Sequence, residues 1–282
     1  MLRRLALASL LLVATAAGAE EEEAPSSPRV AMAVVEGSGP IRDAAVFDAA
    51  TPLGVTLLPQ MVTTPNQSAP SVTSLAVRAV RNRDHAGFLL EWSDATTDWR
   101  TALDRFGDMV AIAFPVAAGP APSPFMGHPG GRVQILQWRA DWQTDIERGP
   151  ISVAELYPNA YGADFYPGDH LPAEQARGYE GAAGLGNAMS QGKRSSAVQD
   201  LMAEGFGSLT PRATQSADGA GHHDGARWQV VVTRPLASDG DSSASLAGGT
   251  STWIGFAVWD GSRGEVGARK AWAPWVALEV AK

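Results

Sequence analysis

Strand-length runs of alternating apolar and polar residues constrain this chain most. Ser71–Asn82 reads SVTSLAVRAVRN, and Ala86–Asp94 reads AGFLLEWSD across the charged turn Asn82–His85, which together predict a hairpin. DMVAIAFPV is apolar throughout, as a strand buried on both faces would be, and stops at Pro115. GRVQILQWRADWQ alternates and carries two tryptophans. RWQVVVTRPL and STWIGFAVWDG are two further strands, separated by a Gly/Ser/Asp-rich loop from Ser238 to Thr250, and AWAPWVALEV closes the chain. Many short alternating strands with turn signals between them predict a mainly β fold, a two-sheet antiparallel β-sandwich.

Two stretches read differently. Residues 157–195 are rich in Gly, Pro and aromatics and predict one long loop excursion with a short helix near Pro172–Tyr179. In SSAVQDLMAEGFGSL the spacing of Val198, Leu201 and Met202, with Ser195 or Ser196 as N-cap and Gly205 near the C-cap, predicts a short amphipathic helix.

The N-terminus carries an export signal. Arg3 and Arg4 precede the apolar run Leu5–Ala17, and Ala17-Gly18-Ala19 fits small-residue cleavage, so residues 1–19 are expected to be removed. Glu20–Pro28, EEEEAPSSP, is a flexible linker, and residues 29–282 form one domain. No run is long enough to span a bilayer as a helix. The formal charge of −8 falls to about −10 without the leader, which excludes nucleic-acid binding and suits a basic soluble partner.

The chain has no cysteine, which excludes cysteine-held iron–sulfur clusters and thioether-attached haem. No nucleophile elbow, phosphate loop or dinucleotide fingerprint is present. His85, His128, His170, His222 and His223 lack zinc-ligand spacing, and His222-His223 reads as a solvated turn. With no cysteine, the side chains left as ligands for a haem are His, Met, Lys and Tyr. Lys193, Lys270 and Lys282 are the only lysines, against 19 arginines. Lys270 sits among apolar residues in ARKAWAPW, where a lysine ordinarily snorkels. Met126 sits in PSPFMGHPGG, a turn between two strands, where a methionine ordinarily caps the core.

The segment FGDMVAIAFPVAAGPAPSPFMGHPGGRVQILQWRADW, followed by VQDLMAEGFGSL, RWQVVVTRPL and GFAVWDGSRGEVGARKAWAPWVALEV, resembles the ethylbenzene dehydrogenase γ-subunit family in order and spacing over roughly residues 70–282. That family also serves dimethyl sulfide dehydrogenase, selenate reductase and chlorate reductase. The resemblance implies one non-covalent haem b in a β-sandwich, held by a Met and a Lys, with no catalytic site on the chain. It also implies a periplasmic location, docking on a molybdopterin catalytic subunit and an iron–sulfur subunit, and delivery to or from a soluble c-type cytochrome or similar carrier. The family's MG-x-P turn falls on Met126, within the slightly longer MGHPGGRV, and its G-x-RK run falls on Lys270. Lys193 is the second choice, since it lies in an excursion that shorter relatives lack. Trp138, Trp142, Trp259 and Trp272 flank these positions as core or slot residues, and Arg132 and Arg269 are the candidate propionate partners. Two readings without redox chemistry stay open: an exported carbohydrate-binding module using stacked tryptophans, and a hydrolase using unassigned carboxylates.

Overall fold

A computed structural model describes residues 28–159 and 194–282. The export signal, nearly all of the linker, Lys193 and the helix expected near Pro172–Tyr179 lie outside the described residues.

Thirteen strands are described: β1 (Arg29–Val34), β2 (Leu53–Thr56), β3 (Leu58–Pro59), β4 (Ser74–Arg81), β5 (His85–Ser93), β6 (Met109–Pro115), β7 (Val133–Arg139), β8 (Val198–Ala203), β9 (Thr210–Pro211), β10 (Asp218–His223), β11 (Arg227–Pro235), β12 (Ser251–Trp259) and β13 (Ala271–Glu279). They form two layers. One runs β10-β11-β5-β4 and the other β13-β12-β6-β7-β8-β9. The predicted hairpin is there, with Ala76 opposite Glu91 and Arg81 opposite Ala86.

β1 joins the layers. Its first half pairs with β13 and its second half with β4, both in parallel. The sandwich expected to be antiparallel is therefore mixed at this seam, because one strand crosses from sheet to sheet without a turn.

Residues on the inward faces fill one core. Phe88 and Leu90 of β5, Ile112 and Phe114 of β6, Leu136 and Trp138 of β7 and Ile254 and Val258 of β12 are all fully buried there. Burial of such side chains contributes about 1.5–3 kcal/mol each.

Three local expectations fail. Residues 198–203 form strand β8, not a helix, with Val198, Gln199, Asp200 and Leu201 all buried. Val198 and Leu201 have helical spacing, but both faces of this segment are covered, and seven-residue β7 offers a ladder to pair with. Tertiary pairing overrides a weak local pattern here. The run GRVQILQWRADWQ stops being a strand at Arg139, and a helix α1 (Ala140–Arg148) takes over, so Trp142 is helical. His222 and His223 end edge strand β10 instead of forming a turn, pairing with Gln229 and Trp228.

Candidate functional site

The outward faces of strands β6, β7, β8 and β12 form the floor of a cavity of about 600 Å³. That volume lies in the range of small-molecule and cofactor pockets, about 300–1,000 Å³. On β6 the odd positions Met109, Ala111 and Ala113 face the cavity while Val110, Ile112 and Phe114 face the core. Ile135 and Gln137 of β7, Leu201 of β8 and Ala257 and Trp259 of β12 continue the floor. The period-2 geometry of a strand makes this division automatic. Ala111, Ala113, Gly255, Ala257 and Ala273 keep the floor low, so the cavity is broad at its base.

Three connections rise around it. The first, between β6 and β7, carries Pro124, Phe125 and Met126; the second, after β8, carries Phe206 and Leu209; the third, before β13, carries Val266, Gly267, Ala268 and Lys270. Phe125 lies 4.7 Å from Trp272 and 6.3 Å from Phe206, ring centre to ring centre, so the rim is aromatic.

Met126 and Lys270, the pair singled out by the family resemblance, thus line the same cavity from separate connections. Met126 has a φ of 66°, alone among the described non-glycine residues in being positive. Such backbone costs a β-carbon-bearing residue on the order of 1 kcal/mol. The turn enforces it. Gly127 N–H donates to Ser123 O at 3.0 Å, Gly205 N–H donates to Met126 O at 2.7 Å, and His128 and Gly131 exchange backbone hydrogen bonds of 3.2 and 2.7 Å. Gly127, with φ of 79°, has no room for a β-carbon against Gly131 O.

Lys270 is half-buried, and its remaining exposure opens into the cavity. No carboxylate among the described residues pairs with it; its Nζ sits 5.2 Å from the centre of the Trp259 ring. Burial alone pushes its pKa down to about 8. A neutral amine, the form that can donate its lone pair to a metal, is therefore within easy reach at physiological pH.

Indole N–H groups tie the connections that carry Met126 and Lys270 to the floor. Trp275 donates to Pro122 O at 2.7 Å, four residues before Met126. Trp259 donates to Gly267 O at 3.0 Å, three residues before Lys270, and Trp272 donates to Pro59 O at 3.0 Å. Buried Gln60 completes the bracing by donating to Ala268 O at 3.0 Å. Of the four tryptophans singled out in sequence, Trp259 and Trp272 line the cavity, whereas Trp138 and Trp142 belong to the core. Trp275 and Gln60 were missed; the alternation of β13 places Trp275 two residues from Ala273, the one available signal. Arg132 pairs with Glu204 at 2.9 Å, and neither Arg132 nor Arg269 lines the cavity. The arginine that does is Arg139, bound to Asp141 through two hydrogen bonds of 3.1 and 3.0 Å.

The donor set fits a haem. It offers a thioether and an unpaired, easily deprotonated amine over an apolar floor of small side chains, a soft and borderline pair suited to iron.

Three relatives share this sequence pattern. The γ subunit of chlorate reductase from Ideonella dechloratans is 28% identical, with 96% of this chain and 94% of that protein covered. A Haloferax mediterranei protein named for a respiratory nitrate reductase haem subunit is 24% identical over 75% of this chain and 57% of its own length. The γ subunit of dimethylsulfide dehydrogenase from Rhodovulum sulfidophilum is 27% identical over 67% and 53%. This chain thus spans just over half of the latter two. Among solved structures, a family 9 carbohydrate-binding module from Caldicellulosiruptor kristjanssonii in complex with glucose aligns at 9% identity, covering 90% of this chain and 96% of that one, with a TM-score of 0.39. A likeness that distant carries no argument. The ethylbenzene dehydrogenase family model matches residues 44–271, a span that holds both Met126 and Lys270 and most of the sandwich, and the chain belongs to that family.

Proposed function

We propose that this chain is a periplasmic electron-transfer subunit that holds one haem b non-covalently, with Met126 and Lys270 as the residues that would hold its iron. The observation that carries the reading is that these two side chains, 144 positions apart, line one apolar cavity. When bound, such a haem would supply one-electron chemistry. The chain's own residues orient, tune and insulate. Trp275 and Trp259 hold the two connections in place, Gln60 braces the second, and the low Ala/Gly floor leaves room for a flat ring. Two protein ligands leave no position for substrate, so the chain relays electrons without a catalytic site of its own. A thioether ligand favours the reduced metal and raises the potential.

The partners on this reading are an iron–sulfur subunit beside a molybdopterin catalytic subunit, and a soluble c-type cytochrome or similar carrier. The relatives' names as γ and haem subunits of reductases and a dehydrogenase support it. No helix among the described residues is long and apolar enough to cross a membrane. The carbohydrate-binding alternative gains nothing from the cavity. Gln60 and Arg139, two of its few polar side chains, already bond within the protein, leaving few groups for sugar hydroxyls.

The test is a visible spectrum of the mature protein, oxidised and dithionite-reduced, beside Met126→Ala and Lys270→Ala. The expected result is a Soret band with sharp reduced α and β bands, altered in both variants. A colourless wild-type protein that also fails to take up added haem would end the reading. If only Met126→Ala alters the spectrum, Lys193 replaces Lys270 in it.

A further inference from the structure

Away from the cavity, three aspartates converge. Asp94 follows β5, Asp108 precedes β6 and Asp260 follows β12. All three are buried, and one carboxylate oxygen of each lies within 4.8 Å of those of the other two. Most of their oxygens have donors. Asp108 accepts from Gly261 N–H at 2.8 Å, Asp98 N–H at 2.7 Å and Trp228 Nε1–H at 3.0 Å. Asp260 accepts from Ser71 Oγ at 2.5 Å and Ser262 Oγ at 2.6 Å. Asp94 Oδ1 accepts from Thr96 N–H at 3.0 Å and Thr96 Oγ1 at 3.1 Å. Asp94 Oδ2 is different. It is sealed from solvent and accepts no hydrogen bond. A carboxylate oxygen left without a donor in the interior costs about 1–3 kcal/mol or more.

No arginine or lysine among the described residues forms an ion pair with any of the three. His223 Nε2 lies 3.1 Å from the main-chain oxygen of Asp94. Burial pushes Asp108 up to about 7 and raises Asp94, with the charge of Asp260 adding to the latter. Protons can therefore relieve the crowding in part. A cation relieves all of it and uses the orphaned oxygen.

The donors are all oxygens, so the cation is a hard one. Oxygens about 2.4 Å from a common centre lie up to about 5 Å apart, so three that all fall within 4.8 Å of one another can share one cation. Three protein carboxylates in a buried site suit Ca²⁺ better than Mg²⁺, which keeps most of its waters. We propose that Asp94, Asp108 and Asp260 form a calcium site that clamps the ends of β5, β6 and β12 together.

The site has a consequence for the rim of the cavity. Asp260 N–H donates to Glu265 Oε2 at 3.0 Å, and Glu265 in turn accepts from Gln67 Nε2 at 2.5 Å. The segment from Asp260 to Lys270 is thus anchored at its root by the aspartates. Gly261 packs so closely on Phe106 O that no β-carbon fits there. The calcium site itself does not depend on what the cavity holds.

The test uses the full mature protein, stripped with EDTA. Tb³⁺ is titrated in with excitation through tryptophan, since Trp228 touches Asp108 directly, and Ca²⁺ is then used to displace it. The expected result is saturable sensitised emission from one site per chain, displaced by Ca²⁺, and a Ca²⁺-dependent rise in the thermal midpoint. Asp94→Asn, which keeps the Oδ1 hydrogen bonds, is expected to weaken binding at least tenfold. Absence of both saturable emission and a thermal shift in the wild-type protein overturns the proposal without needing any variant. Unchanged affinity in a folded Asp94→Asn protein overturns it as well. Neither result touches the haem reading, which the visible spectrum tests by itself.

Discussion

Around Arg212 and Arg234 every buried charge meets an opposite charge or a hydrogen-bond partner, whereas Asp94 Oδ2 and the Lys270 amine meet neither among the described residues. Arg212 pairs with Asp200 at 2.7 Å and also with Asp239, with its side chain only 3% exposed. Gln134 donates to both oxygens of Asp200, at 2.8 and 3.0 Å, and its own oxygen accepts from Arg234 Nη1 at 2.8 Å. Burial still pushes Arg234 down to about 10 and Asp200 up, but Arg234 stays charged at neutral pH. This network sits where β7, β8 and β11 face one another and is complete within the chain. The other two regions hold uncompensated charge of opposite sign. Completeness marks a structural site; incompleteness marks a place prepared for something from outside.

The comparison can be broken most forcefully at Arg212. Arg212→Leu strands Asp200 and Asp239 and is expected to cost roughly 3–5 kcal/mol, read as a fall in the urea midpoint. A loss below about 1 kcal/mol would mean that the network is not the integral element described here.

Lys270 should behave in the opposite sense. Its folded pKa of about 8 lies below its ordinary 10.5, so the unfolded chain binds the proton more tightly. Stability of the haem-free protein should therefore rise as pH increases from about 8 to 10.5, and the penalty is fully present below about 8. Lys270→Met should abolish that rise and stabilise the haem-free protein at pH 7 by roughly 2 kcal/mol, discounting for its contact with cavity water. A flat wild-type profile over that window would place the ammonium in bulk solvent.

The smallest effect is expected at the aspartates. In EDTA, Asp94→Asn removes one of three crowded charges and should raise stability at pH 7.5 by about 1 kcal/mol, measured by urea unfolding. A loss of that size would mean that the carboxylates are compensated by groups other than a cation.

Much of this was legible in the sequence because strands declare themselves by alternation. β4, β5, β6, β11, β12 and β13 all fall where the runs place them. Met126 and Lys270 could be marked only through family resemblance, since a turn methionine and a lysine among apolar residues have ordinary explanations. What alternation conceals is a strand apolar on both faces. Val110 and Ala111 look equally buried in sequence, yet one packs in the core and the other floors the cavity. β8 was misread because its inward Asp200 is satisfied by Arg212 and Gln134, distant partners that no local window contains. The aspartate cluster was illegible for the same reason, its members being separated by fold topology from residue 94 to residue 260.

The seam at β1 sets the order in which the molecule can be finished. Arg29 pairs opposite Ala277, so the first and last strands of the sandwich are neighbours, and Lys270 immediately precedes that last strand. Contacts so distant along the chain form late, because the loop that they close is long. The two sheets are stitched only once β13 has docked, and the same docking carries Lys270 to the cavity wall. Assembly of the sandwich and maturation of its pocket are therefore a single late event, and anything entering the cavity from outside meets Met126 and Lys270 together only in a chain that has already closed.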